Sequence, residues 1–88
     1  MRAGEIYQYI HSGSMRGSQN HKDFDTHMFV KLRQYELGKS SYLCDGYAYV
    51  YYPETNEWEF IHEYEDLIST YILNSMYKKA DKLPIASI

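Results

Sequence analysis

The chain has 88 residues, and a chain of this length forms one domain that buries only about 60–65% of the surface its unfolded form exposes. Its single cysteine, Cys44, excludes an internal disulfide, and no apolar run approaches the roughly 20 residues of a membrane-spanning helix. With a net charge of −3 and no signal-peptide core at the N-terminus, the sequence predicts one soluble, cytoplasmic domain over residues 1–88.

The charge is segregated along the sequence. Residues 40–77 contain no Lys or Arg and sum to −7, whereas residues 1–39 and 78–88 each sum to +2. The acidic side chains of the middle segment are Asp45, Glu54, Glu57, Glu59, Glu63, Glu65 and Asp66. The same segment is rich in tyrosine. Such a block fits a binding surface, and it also fits an ordinary solvated surface that keeps a small domain in solution.

The first element in the chain is a short predicted helix. Ile6, Tyr7 and Ile10 have the spacing of an amphipathic helix, which we expect to run from Ala3 to His11. Residues 12–22 follow, rich in Gly and Ser with few apolar side chains. This composition predicts a flexible loop.

Residues 27–35 fit two patterns. Met28, Val30 and Leu32 alternate with other residues as in a half-buried strand, but the segment also has one apolar helical face. We favour the strand, because the Gly-Lys-Ser-Ser connection that follows has an ordinary length and leads into a second strand from about Tyr42.

The clearest element is a β-hairpin over residues 46–63, in which two aromatic-rich runs flank a turn at residues 53–56. A three-residue loop with Asn56 in the left-handed conformation would place Tyr52 opposite Trp58. The sheet would then turn an outer face of tyrosines and glutamates to solvent.

A four-residue loop gives the other register of this hairpin. It would align Tyr47, Tyr49 and Tyr51 with the aromatic side chains of the next strand, and the glutamates would lie on the opposite face. We favour the three-residue loop, because Asn tolerates the left-handed conformation and the resulting core face mixes small and large side chains.

A long C-terminal helix is predicted from Tyr64 to Ala80. The apolar residues of this segment follow the 3.6-residue period, acidic residues stand at its start and lysines near its end, and Pro84 prevents continuation. The apolar tail, residues 83–88, either packs back on the domain or contributes to a partner contact. The predicted fold is therefore α+β, a three-stranded antiparallel sheet packed against a C-terminal helix, with a short N-terminal helix (α-β-β-β-α).

One cluster of residues and one cysteine are candidates for a metal site or a catalytic role. The cluster of His21, Asp23, Asp25 and His27 has metal-ligand side chains but no known ligand spacing. A local turn or strand start at Asp25 or Thr26 is the commoner explanation of such a pattern. Cys44 lacks a local signature that would select a histidine as its base. We therefore expect neither a catalytic site nor a cofactor or metal.

Protein recognition is the function that the sequence favours. The expected contact face consists of Tyr47, Tyr49, Tyr51, Glu57, Glu59 and Glu63. Tyrosine is enriched in binding hot spots, and carboxylates can replace phosphates in a basic groove of another protein. The predicted small acidic domain is similar in size, charge and architecture to several phage-encoded inhibitors of host nucleic-acid machinery, anti-CRISPR proteins among them. This resemblance implies an inhibitor that binds a basic protein surface, and it assigns no role to a particular residue.

Two alternatives belong to other classes. A small nucleic-acid-binding domain would use the exposed tyrosines with the basic residues Arg16, Lys22, Lys31 and Arg33. A structural subunit would form homo-oligomers through a free sheet edge or the apolar tail.

Overall fold

The structure is a computed structural model that describes residues 1–11 and 25–85. Its elements are β1 (Ile6–Tyr9), β2 (Asp25–Glu36), a 3-10 turn (Leu37–Lys39), β3 (Ser41–Tyr52), β4 (Glu57–Ser69), α1 (Thr70–Met76) and β5 (Tyr77–Ala80). The strands form one antiparallel sheet of five strands in the order β4-β3-β2-β1-β5. The α+β class fits this fold, but the prediction of a three-stranded sheet between an N-terminal and a long C-terminal helix is wrong. The loop predicted at residues 12–22 lies outside the described residues.

The predicted N-terminal helix is a strand. In β1, Ile6 pairs with Lys31 of β2 on one side and with Ala80 of β5 on the other. A helix of this length is marginal by itself, since isolated helices need about 12–15 residues. Strands on both sides satisfy the backbone groups of β1, so the tertiary pairing overrides the local spacing of Ile6, Tyr7 and Ile10.

The predicted C-terminal helix is divided among three elements. β4 continues to Ser69 along the whole of β3, and only Thr70–Met76 is helical. Tyr64 and Ile68 are four residues apart, a spacing that fits one face of a strand as well as one face of a helix. The helix begins where the Oγ of Ser69 accepts a hydrogen bond from the Ile72 N–H at 3.1 Å, an N-cap arrangement.

The sheet has a hydrophobic cluster on each face. On the helix face, α1 covers a cluster of Tyr7, Val30, Leu32, Tyr42, Cys44, Ile68 and Leu73. On the opposite face, Leu83 packs against a cluster of Phe29, Tyr47 and Tyr49, which Trp58 and Phe60 extend. We call this the strap face, because residues 81–85, the C-terminal strap, lie against it after β5. Of the tail at residues 83–88, the described part packs back on the domain through Leu83 and the Ile85 carbonyl, and residues 86–88 lie outside the described residues.

The β3–β4 hairpin has the four-residue turn. Tyr51 pairs with Trp58 and Tyr49 with Phe60, so the register that we favoured is wrong. Asn56 does take the left-handed conformation, with φ of 58°. In the observed register, the rings of Trp58 and Phe60 make edge-to-face contacts with the buried ring of Tyr49, at centroid distances of 6.1 and 5.7 Å. Beyond it, a bulge at Ile61 shifts the pairing by one residue.

The strand at residues 27–35 is confirmed as part of β2, whose pairing with β3 is interrupted by a bulge at Arg33. None of the segments that the structure describes forms a helix long and apolar enough to cross a membrane.

Candidate interaction surface

The tyrosine row of β3 is not an open surface. Beneath the C-terminal strap, only 9% of the surface of Tyr47 and 0% of that of Tyr49 is exposed to solvent. The hydroxyl of Tyr49 donates a hydrogen bond to the carbonyl oxygen of Ile85 at 2.9 Å. Burial raises the pKa of both phenols. The expectation that these rings face solvent is therefore corrected: they belong to the core of the strap face.

Tyr51, the third member of the row, lies at the rim of that core. Its ring packs against Trp58 at a centroid distance of 4.8 Å, and its hydroxyl donates to the side-chain oxygen of Asn56. It remains partly exposed. The three tyrosines therefore share one face, as their spacing predicts, but only Tyr51 can touch a partner in this conformation.

The glutamates of β4 are exposed, but they do not share one face. Glu57 and Glu59 pair with Tyr52 and Val50 on the helix face, whereas Glu63 pairs with Tyr47 on the strap face. The bulge at Ile61 causes this switch, because one extra residue reverses the alternation of side chains. The six predicted contact residues are thus split between two faces and the core.

What unites the carboxylates is the strand edge. β4 is the outermost strand of the sheet, and the exposed acidic residues of the strand and its turn form what we call the acidic edge: Glu54, Glu57, Glu59, Glu63, Glu65 and Asp66. No Lys or Arg occurs between residues 40 and 77 to offset this charge locally.

An open concavity lies at the tip of the β3–β4 hairpin. Its lining residues are Tyr52, Glu54, Thr55, Glu57 and Glu59. The hydroxyl of Tyr52 donates a hydrogen bond to Glu59 Oε1 at 2.6 Å, and this bond raises the pKa of Tyr52. The arrangement holds one carboxylate in place at the end of the acidic edge.

Arg33 reaches the acidic edge from the neighbouring part of the sheet. Its guanidinium lies 2.9 Å from Asp45 Oδ1 and 2.6 Å from Glu65 Oε2, and the bond to Glu65 is the main cause that raises the pKa of Arg33. Arg33 therefore offsets part of the charge of Glu65. Glu57 and Glu63 have no such ion pair within the described part of the chain.

Of the residues proposed for nucleic-acid binding, the two that the structure describes, Lys31 and Arg33, do not form a basic surface. Arg33 is held by two carboxylates, and Lys31 is exposed on β2 opposite Asp45. Arg16 and Lys22 lie outside the described residues. The described portion of this group therefore stands among acidic side chains, which repel phosphates.

The remaining chemical candidates have structural surroundings. Asp25 begins β2, and His21 and Asp23 lie outside the described residues. The ring of His27 packs against Trp58, with its Nδ1 3.2 Å from the side-chain nitrogen of Gln8. Among residues 1–11 and 25–85, no three His, Cys, Asp or Glu side chains are placed to hold a metal ion.

Cys44 is fully buried on the helix face. Burial is the main cause that raises the pKa of its thiol to about 11. The reactive thiolate is therefore strongly disfavoured at neutral pH, and this thiol is poorly suited to act as a nucleophile.

Comparison of the chain with protein-family models, curated proteins and solved structures gave no significant match. The resemblance to phage-encoded inhibitors was based on size, charge and a predicted α-β-β-β-α architecture. Because the structure has a five-stranded sheet instead, the resemblance now rests on size and charge alone.

Proposed function

We propose that the protein is a non-enzymatic interaction module of the inhibitor type, which recognises a basic protein surface through its acidic edge. The observation that carries the proposal is the position of the carboxylates on the outermost strand, where a partner can approach them from either face. Interfaces with complementary charge gain association rate and specificity. The proposed contact surface contains fewer tyrosines and more carboxylates than the contact face predicted from the sequence.

A basic groove that normally binds nucleic acid is the kind of partner surface that fits best. The carboxylates of the acidic edge extend from the hairpin turn at Glu54 to Asp66, along most of β4. At about 3.3 Å per residue, the part of this row within β4, from Glu57 to Asp66, is roughly 30 Å long. An extended row of negative charges can occupy a groove in place of a phosphate backbone, and nucleic acid would then compete with the protein for the same partner.

Glu63→Lys tests the proposal, with Asp81→Lys as its matched control. Both residues are exposed and both substitutions change the net charge by the same amount, but Asp81 follows β5 at the opposite edge of the sheet. The two variants and the wild type are used to capture proteins from nuclease-treated lysate, and each captured protein is purified and titrated by calorimetry.

A basic partner is expected to bind the wild type and the Asp81→Lys variant alike, and Glu63→Lys at least about tenfold more weakly, equivalent to about 1.4 kcal/mol. Added nucleic acid should reduce binding. Equal affinity of the two variants would contradict the proposal. So would a gel shift of DNA or RNA by the protein alone that weakens steeply between two salt concentrations, because this dependence indicates direct phosphate contacts.

A further inference from the structure

β4 offers backbone groups as well as carboxylates. It runs for 13 residues, pairs with β3 along one side, and in residues 1–11 and 25–85 no strand pairs with its other side. The opposite edge, β5, has only 4 residues. An edge strand presents a row of N–H and C=O groups that can pair with an added strand, and several classes of recognition domain bind extended peptides in this way.

From this edge we infer that the partner binds by strand addition: an extended segment with alternating Lys or Arg pairs with β4. The inference rests on the proposed function and specifies how the basic partner is held. The stretch from His62 to Ser69 is suited to it, because its pairing with β3 has no irregularity, whereas the bulge at Ile61 ends regular pairing on the N-terminal side. Eight residues of strand span about 27 Å.

The side chains of this stretch define the sequence of the added strand. Glu63, Glu65 and Leu67 alternate on the strap face, and all three are exposed. In an antiparallel pair, residues directly opposite one another interact across the strands. The partner, read from its N-terminus, therefore carries an apolar residue opposite Leu67, then basic residues opposite Glu65 and Glu63. Glu63 contributes most, because Arg33 already offsets Glu65.

A second copy of the chain is a poor occupant of the same edge. Antiparallel β4–β4 pairing about a two-fold axis at residue 63 would place Glu63 opposite itself, and an axis at residue 64 would place Glu63 opposite Glu65. Like charges directly opposite are destabilising. Charged residues on an edge strand prevent pairing between copies in this way, and the same charges leave the edge open to a strand of opposite sign.

The test uses three synthetic peptides with the sequence Thr-Leu-Thr-Lys-Thr-Lys-Thr. One is unmodified; the other two carry N-methyl groups on alternate backbone nitrogens, on the Thr residues in one and on the Leu and Lys residues in the other. Charge is identical in all three, and each methylated peptide lacks the N–H donors of one edge. Binding is followed by two-dimensional NMR of the labelled protein, with Glu63→Lys and Asp81→Lys as the protein variants.

Strand addition predicts that exactly one methylated peptide loses binding, by about tenfold or more, and that the other binds within about threefold of the parent. Amide signals of residues 62–69 should shift, and Glu63→Lys but not Asp81→Lys should weaken the titration. If all three peptides bind alike, or both methylated peptides lose binding alike, the inference is overturned while recognition of basic partners stands. If the unmodified peptide does not bind, the inference of strand addition is also overturned. The proposed function is tested by a different result: it is contradicted if Glu63→Lys and Asp81→Lys bind the purified partners with equal affinity.

Discussion

Gly46→Ala is expected to destabilise the protein because the ring of Tyr64 occupies the space of the missing side chain. These two residues are partners in the β3–β4 register, and three ring carbons of Tyr64 lie within 2.6 Å of the position that a Cβ on Gly46 would take. Overpacking of this kind costs about 1–3 kcal/mol. Replacing glycine in a strand returns about 0.5–1 kcal/mol of backbone entropy. We therefore expect a net loss of about 1–2 kcal/mol, because the half-buried ring can swing aside.

A double-mutant cycle with Tyr64→Ala isolates this effect. Urea unfolding followed by the fluorescence of Trp58, the only tryptophan, measures the free energy of unfolding of each variant. With Tyr64 removed, Gly46→Ala should be neutral or stabilising by up to about 1 kcal/mol. Gly38→Ala, where nothing lies within 4 Å of the new methyl group, serves as the control and should change stability little. An equal effect of Gly46→Ala in both backgrounds would refute the register of residues 41–48 with 62–69.

Three further predictions concern other parts of the sheet. The hydrogen bond from the Lys79 ammonium is the main cause that lowers the pKa of Glu5 to about 2, below its value in the unfolded chain. The ionised Glu5 carboxylate therefore stabilises the fold above about pH 4.5, and this stabilisation is lost as the pH falls towards 2. Urea midpoints of Glu5→Gln should accordingly vary less between pH 6 and pH 2.5 than those of the wild type. Cys44 should react with a thiol reagent at pH 8 at least about a hundredfold more slowly in the native protein than in denaturant, and equal rates would contradict its burial. Tyr49→Phe removes the hydroxyl that donates to the Ile85 carbonyl, and it should lower the free energy of unfolding in urea by about 0.5–1.5 kcal/mol. An unchanged free energy of unfolding would contradict the contribution of this hydrogen bond to holding the strap.

The central strands of the fold could be predicted because their signals are local. Alternation in β2 and the aromatic runs flanking residues 53–56 are read from short windows, and both agree with the structure. β1 could not be found in this way, since its strand conformation depends on partners 20 or more residues away in the sequence. The start of α1 did have a local signal, Ser69 as an N-cap, but the apolar spacing from Tyr64 onward obscured it.

The candidate site was predicted in part for the same reason. The exposure of the β4 glutamates follows from their charge, because an isolated carboxylate is costly to bury. The burial of Tyr47 and Tyr49 depends on the C-terminal strap, which no local pattern assigns to a face. The Leu83-Pro84-Ile85 sequence was the available signal: an apolar tail on a small acidic domain needs a surface to cover, and the tyrosine row provides one.

The bulge at Ile61 connects the fold to the proposed surface. Before it, Trp58 and Phe60 turn to the strap face and the glutamates to the helix face; after it, Tyr64 and Ile68 turn to the helix face and the glutamates to the strap face. Each half of β4 thus directs its apolar side chains into a different core. The glutamates of β4 take the face opposite the apolar side chains of their half of the strand, whereas Asp66 shares the helix face with Tyr64 and Ile68. The outermost strand therefore carries negative charge on both sides of the sheet. A basic partner that meets this edge is therefore attracted from either face, whichever end of the strand it contacts first.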